Sequence, residues 1–425
     1  MTCCRGSGSE NGSWLDKMEP GRLGTYASYA LLGLAMFVSI VLQQTYADSV
    51  DLWTNGCDSG QYKDECMRNS AIFRFSMALT IVFGVQMIGT YLYPPFYDNM
   101  WVPKFSLFIV LIIIFSFLDG DTFNDNGYAW FARIAAFFFV IVQQVILLDV
   151  AYVWNERWVD YATENTDEDG NSAYLYGLLG FSALLFSLSI AGIAIMYETF
   201  NCEAADVIIS LTLVLTLMAT LIQIFMTDNG SLLTSAIVTA YATFICYSSL
   251  SINPDSECNP TIAGDSQTVT RVVGTIMVLI SLSWTTHTTV QKSKELSGVT
   301  KDPFLKRPPG PSEAEGGEGG SVPAGGSEDS DAGGTSSEEA QGYSPEMRNL
   351  LTEVAGIFLL VSCYFAMVIT NWATEQHGEE SASPTAGRAA MWLQASAQWI
   401  ALALYLWTLV APLVWPDRDF GVQRI

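Results

Sequence analysis

QQVILLDVAYVWNERW, residues 143–158, is the stretch whose reading decides the fold. It continues an apolar run that begins near Phe131, and neither Pro nor Gly interrupts Phe131 to Tyr161. A helix of that length extends roughly 45 Å at about 1.5 Å per residue, whereas the hydrocarbon core of a bilayer is about 30 Å thick. One upright crossing cannot hold it, so the helix must tilt or run on into the headgroup layer. Gln143, Gln144 and Asp149 interrupt its apolar character. A carboxylate at that depth is costly in lipid and is expected to face protein or water. The helix leaves the apolar region through Trp154, Asn155, Glu156, Arg157 and Trp158. Trp154 and Trp158 are four apart and share a face, which with Asn155 reads as an aromatic and polar belt at the cytosolic boundary. Glu156 and Arg157 are adjacent and do not share one.

Composition places this helix among others of its kind. The 425 residues are 50% hydrophobic and only 15% charged, against about 25% charged in a soluble domain. With its long apolar runs, the chain reads as an all-α polytopic membrane protein. A net charge of −24 argues against nucleic acid, which needs clustered Lys and Arg. Much of the acid lies in loops and one linker, where it solvates those regions.

Apolar windows of about 20 residues predict ten crossings, near 26–43, 71–92, 104–118, 131–153, 175–197, 205–226, 232–250, 269–286, 351–372 and 391–414. The third is short. A polar turn, residues 227–231, joins the sixth and seventh as an antiparallel hairpin. No removable signal peptide is expected at the start, and the first apolar helix serves as the anchor. From about Thr288 to Glu346 the chain is rich in Gly, Ser, Pro and Glu and is expected to be disordered. The predicted organisation is a tail at 1–25, eight crossings within 26–286, a linker at 287–348, two crossings within 349–415 and a tail at 416–425. Lys292, Lys294, Lys301, Lys306 and Arg307 place the linker, and hence both termini, in the cytosol.

Cys57, Cys66, Cys202 and Cys258 all fall in loops that this topology puts outside, where disulfides persist. Three pairings are open to four cysteines; a local Cys57–Cys66 clamp is the first choice, leaving Cys202 with Cys258. Cys246 and Cys363 lie inside helices as packing residues, and Cys3 and Cys4 are open to acylation. Asn11 and Asn229 begin glycosylation triplets on the cytosolic side and are expected to stay unmodified.

A search for catalytic chemistry finds little. His287 and His377 fall on opposite sides, against a histidine metal site or a Ser-His-Asp triad. No phosphate-binding loop or CxxC metal spacing occurs. No catalytic residue, metal or cofactor is predicted. What remains are polar residues within apolar helices: Gln86, Gln143, Gln144, Asp149, Gln223, Gln394 and Gln398. Interhelical hydrogen bonds account for membrane glutamines; a charge at depth more often lines a water-filled or ligand-binding cavity. Pro412 is expected to kink the last crossing.

Taken together, several of these stretches resemble the serine incorporator family. They are Gln144, Leu148, Asp149, Ala151, Trp154, Asn155, Glu156 and Trp158; the loop 119–124, with one extra residue; 251–254 followed by 258–260; 370–372; and 404–412 closed by 418–420. The chain departs from the family in its N-terminus, where only Cys3 and Cys4 stand for a Cys-rich segment, in Tyr152 where a His is common, and in its low-complexity linker. The resemblance implies ten helices in two subdomains crossed by a long tilted fourth helix. It also implies a role in serine entry into phosphatidylserine and sphingolipids, or scrambling of lipids between leaflets, in the plasma membrane or endomembranes.

The expected partners are membrane lipids, with serine, lipid-synthesising enzymes and a second copy of the chain as further candidates. Lipid- or ligand-binding candidates are Gln143, Gln144, Asp149, Trp154, Asn155, Glu156, Arg157 and Trp158. The competing readings are a lipid-moving protein with a polar groove beside the fourth helix, a carrier or scaffold whose Asp149 pairs with the amino group of serine, and a membrane enzyme, the least supported of the three.

Overall fold

A computed structural model describes residues 20–45, 63–118, 120–123, 127–164, 173–225, 231–260, 266–301, 343–370, 372 and 384–414. Regular structure among them is helical: α1 (Arg22–Thr45), α2 (Lys63–Leu92), a one-turn α3 (Phe96–Asn99), α4 (Trp101–Ser116), α5 (Tyr128–Glu164), α6 (Ala173–Thr199), α7 (Glu203–Phe225), α8 (Leu232–Ser251), α9 (Ser266–Lys301), α10 (Pro345–Ile369) and α11 (Pro384–Val414). Eight of these are long and apolar enough to cross a membrane; α4 is a shorter apolar helix. Large apolar side chains such as Phe37, Phe117, Ile190 and Phe225 face outward, which is tolerated where the solvent is lipid. The chain is a multi-pass integral membrane protein.

Local chemistry sets several helix ends. Ser231 caps α8 by accepting from the Thr234 N–H at 3.1 Å. Ser344 caps α10 by accepting from the Met347 N–H, with Pro345 in the first helical turn, where its missing N–H costs nothing. α9 runs past the expected linker edge at Thr288 as far as Lys301. Residues 288–301 carry Lys, Glu, Gln and Leu, all good helix formers, and the first Pro after them is Pro303. Residues 302–342 of the linker, Asn11, Asn229, His377, Cys3, Cys4 and Cys57 lie outside the described residues, as does the side chain of Cys66.

The helices gather on two sides of α5. One core joins α1, α2, α4, α9 and α10 to the first half of α5 through Leu31, Phe73, Phe83, Phe139, Phe358 and Phe365. A second joins α6, α7, α8 and α11 through Ile193, Ile208, Ile209, Leu250 and Met391. α5 packs against α10 on one side and against α6, α8 and α11 on the other. At 37 residues it is about 55 Å long, which lets it touch both groups.

Lipid tails are as apolar as leucine, so close packing and polar bonds must hold such helices together. A Cβ at Gly24 would overlap the Tyr97 ring, and one at Gly89 the Phe96 ring; the two glycines let α3 lie flush on α1 and α2. Beside them, fully buried Lys104 of α4 donates to Ser28 Oγ at 2.7 Å, the Gly24 carbonyl at 3.2 Å and Gln86 Oε1 at 3.2 Å. Asp98 accepts from the Gly21 and Gly24 N–H groups at 2.5 and 2.7 Å, a carboxylate on the positive end of α1. It also accepts from the Tyr343 hydroxyl at 2.6 Å, tying the entry to α10 onto α3. Burial, with Asp98 alongside, raises the phenols of Tyr97 and Tyr343 above their ordinary value. On the other glutamines, Gln223 accepts from Tyr405 at 3.0 Å, Gln394 donates to Ser248 at 2.9 Å, and Gln398 donates to Thr212 and the Ala242 carbonyl. These are the interhelical bonds expected of them. Cys246 and Cys363 are free and buried. The helical backbone of α11 continues through Pro412 to Val414.

Candidate functional site

The second half of α5 meets α9 along an open groove of about 540 Å³. Ile276, Leu279 and Ile280 of α9 and Val150 of α5 form its apolar wall, while Ser283, Trp284, His287 and Arg157 supply polar groups. Ile276, Leu279, Ile280, Ser283 and His287 recur at three- and four-residue spacing, so one face of α9 presents them all. Asp149 is exposed on α5 and accepts from the Trp284 indole N–H at 2.7 Å. Trp284 in turn stacks on His287, their ring centroids 5.9 Å apart. Ser283 is bonded across to Tyr29 of α1 at 3.2 Å, which holds α9 against the first helix group. The groove therefore combines a guanidinium and an imidazole with an apolar wall, in a position open to its surroundings, with the Asp149 carboxylate beside it on Trp284. That combination suits an amphiphile: charged groups for a headgroup, aliphatic side chains for a tail.

The sequence-predicted residues separate into three places. Arg157 lines the groove, and Asp149 is bonded to Trp284 of its α9 wall. Trp154 and Trp158 turn instead toward α6, where Trp154 packs on Phe181 with centroids 5.4 Å apart and Trp158 lies over Gly177, close enough that a Cβ there would sit 3.1 Å from its ring. Tyr161 and Tyr174 extend this α5–α6 seam. Gln143 and Gln144 point inward and are buried. Asn155 is half-buried and Glu156 exposed. Trp284, Ser283 and His287 were not predicted as site residues. Their signal was available in part: a Trp and a His three apart within an otherwise apolar helix lie on one face.

Cys202 and Cys258 form a disulfide with Cα atoms 5.3 Å apart. It joins the α6–α7 turn to the loop after α8, so both lie at one end of the bundle. That loop is knit by Asn259, which donates to the Ser251 and Asn253 carbonyls, both at 2.9 Å. At the same place Pro254 rests on Gly387 of α11. The 120–123 turn buries Phe123 under the Arg74 guanidinium, 4.6 Å from the ring centre, and Arg74 donates to the Phe115 carbonyl at 2.9 Å and to Ser70. Arg133 donates to the carbonyl of Trp372 at 3.0 Å, a residue with φ of 58°. Loop segments singled out in the sequence thus serve as helix-end fastenings.

A family profile described as Serine incorporator (Serinc) matches residues 3–418. Among similar proteins, a "Probable serine incorporator" from Nematostella vectensis is 26% identical over 359 residues, covering 76% of this chain and 73% of its own. "Serine incorporator 3" of Bos taurus is 26% identical over 84% of this chain and 81% of its own. "Serine incorporator 2" of Homo sapiens is 27% identical over 76% and 72%.

Proposed function

This chain belongs to the serine incorporator family, and on that footing we propose that it passes phospholipids between leaflets along the α5–α9 groove without catalysing a covalent reaction. One observation carries the reading: Asp149, in the apolar half of a long helix, is exposed beside an open groove rather than sealed among partners. A buried carboxylate is normally fenced in by bonded neighbours. One left accessible at such depth offers a polar step for a headgroup that would otherwise cross hydrocarbon. Arg157 and His287 complement the phosphate, and Asp149 the amine, of a zwitterionic or serine-bearing lipid. Ile276, Leu279 and Ile280 keep the acyl chains at the groove's edge. By relocating lipid precursors or products, this activity would support serine entry into phosphatidylserine and sphingolipids in cells. The basic residues near the end of α9 favour a cytosolic linker and cytosolic termini. The Cys202–Cys258 disulfide favours an oxidising environment at the opposite end.

The test is leaflet exchange of a fluorescent phospholipid in sealed vesicles containing the purified chain. Acceleration that is lost in Asp149→Leu supports the reading. No acceleration by the wild-type chain overturns it. Binding of labelled serine that disappears in Asp149→Asn, without lipid exchange, would replace it with a carrier.

A further inference from the structure

Two basic side chains line the α5–α9 groove, Arg157 and His287, and they differ in kind. A guanidinium keeps its charge at every physiological pH. An imidazole is neutral or cationic, and changes between the two in the range between neutral and mildly acidic surroundings. The carboxylate bonded to the groove's α9 wall is Asp149, on the Trp284 indole N–H at 2.7 Å. With a neutral imidazole, Arg157 and Asp149 balance. With a protonated one, the groove carries one net positive charge.

The surroundings of His287 leave that charge open to change. The residue is exposed and stacks on Trp284 with centroids 5.9 Å apart. Its Nε2 lies 3.5 Å from the Gln291 amide, a neutral group that can serve either form of the ring by turning its oxygen or its nitrogen inward. No carboxylate is bonded to the ring among the described residues. The charged groups around it can be placed element by element. From α5 come Arg157 on the lining and Asp149 through Trp284; Asp160, exposed one turn beyond Arg157, is not part of the lining. From α1 comes Tyr29, bonded to Ser283 at 3.2 Å. Lys292, five positions along α9, lies on another face. α10 meets α9 at Gly274, where a Cβ would sit 3.0 Å from Val368; that face is opposite the one bearing Ile276, Leu279, Ile280, Ser283 and His287.

We propose that His287 sets the headgroup selectivity of the groove, admitting zwitterionic phospholipids when its imidazole is neutral and favouring anionic phospholipids that lack an amine when it is protonated. This rests on the reading of the groove as a lipid path. A zwitterionic headgroup brings both signs and matches the Arg157 and Asp149 pair. An amine-free anionic headgroup brings only a negative charge, which that pair does not favour. The imidazolium supplies a second cation for its phosphate, and an opposite charge close by favours the charged form of the ring. Proton uptake and anionic-lipid entry therefore assist each other. The expected change is roughly two- to fivefold in relative rate, the weight of one partly exposed ion pair.

The experiment uses the purified full chain in sealed phosphatidylcholine vesicles carrying a tracer of fluorescent phosphatidylglycerol or of fluorescent phosphatidylcholine. Leaflet exchange of each is measured at about pH 7.5 and about pH 5.5, a span over which histidine changes charge and neither tracer does. The quantity read is the ratio of the two rates, which does not depend on how much of a variant folds. In the wild-type chain the ratio of phosphatidylglycerol to phosphatidylcholine should rise about two- to fivefold on acidification. It should stay flat in His287→Gln, and stand high at both pH values in His287→Lys. A ratio that does not change with pH in the wild-type chain overturns the proposal while leaving the lipid path intact. A rise that persists in His287→Gln assigns the titration to another group, such as Asp149, and overturns it as well. If neither tracer moves at either pH, the lipid path itself fails, and the selectivity with it.

Discussion

Lys104 and Asp149 are both ionisable residues set in apolar helices, and the fold treats them in opposite ways. Lys104 is fully buried and meets three oxygen acceptors from α1 and α2. Asp149 is exposed and meets one indole donor beside a groove. A charge whose bonding capacity is used up within the protein holds helices together. A charge with most of its capacity free remains available to something else. The number of partners separates architecture from the candidate site.

That contrast predicts its largest effect at Lys104. Lys104→Ala removes three hydrogen bonds and opens a cavity in a dry interior, although Ser28 keeps its bonds to the Gly24 carbonyl and Gln86, and should destabilise the fold by about 2–5 kcal/mol. Thermal unfolding followed by fluorescence-detected size exclusion measures this; a wild-type melting curve would erase the contrast. Asp149→Asn should do the reverse, leaving stability within about 0.5 kcal/mol of wild type while slowing lipid exchange roughly tenfold, equivalent to about 1.4 kcal/mol of barrier. If that variant unfolds while exchange per folded molecule is unchanged, Asp149 is architectural after all. Trp284→Phe keeps the ring but removes the donor, a loss of about 1 kcal/mol. It should alter exchange less than Asp149→Asn, and equal or larger slowing would shift the weight of the site onto α9.

The smallest effects belong to the α3 clasp. Tyr343→Phe removes one bond to Asp98 and should lower stability by about 1 kcal/mol, seen as a small drop in melting temperature. The pH dependence follows from the raised phenols. Tyr97 and Tyr343 bind their protons more tightly when folded than when unfolded, where tyrosine ionises near 10. Their contribution is complete below that value and declines as pH rises beyond it. Alkaline melting curves should therefore be flatter for Tyr343→Phe than for wild type; identical slopes would show that Asp98 and Tyr343 part before unfolding.

The long helix was legible because length alone excludes an upright crossing and no breaker occurs between Phe131 and Tyr161. Helix positions followed from apolar runs; the predicted side of the membrane grouped four cysteines, and Cys202 with Cys258 was the pair that a local Cys57–Cys66 clamp left. Individual partners were harder to read. Asp149 and Trp284 are bonded across 135 positions, and nothing near either residue specifies the other. Trp154 and Trp158 looked like a boundary belt because aromatic spacing is the same for a helix facing headgroups and for one packed on Gly177 and Phe181. Gln143 and Gln398 look alike in sequence, yet one finds two donors' worth of partners across α7 and α8 and the other finds none in protein.

The sequence by itself determined the membrane class, the helices, the over-long α5 and the family to which the chain belongs. All of these follow from local properties: apolar run length, the absence of breakers, and ordered motifs. Tertiary structure alone decided which polar residues are satisfied, that α9 supplies the other wall of the groove, and that Arg157 turns toward it while its neighbours pack on α6. Periodicity gives a side chain its face on its own helix, but its partners depend on the rotation and crossing of helices far away in the chain, and those are set by packing at glycines such as Gly24, Gly89 and Gly177.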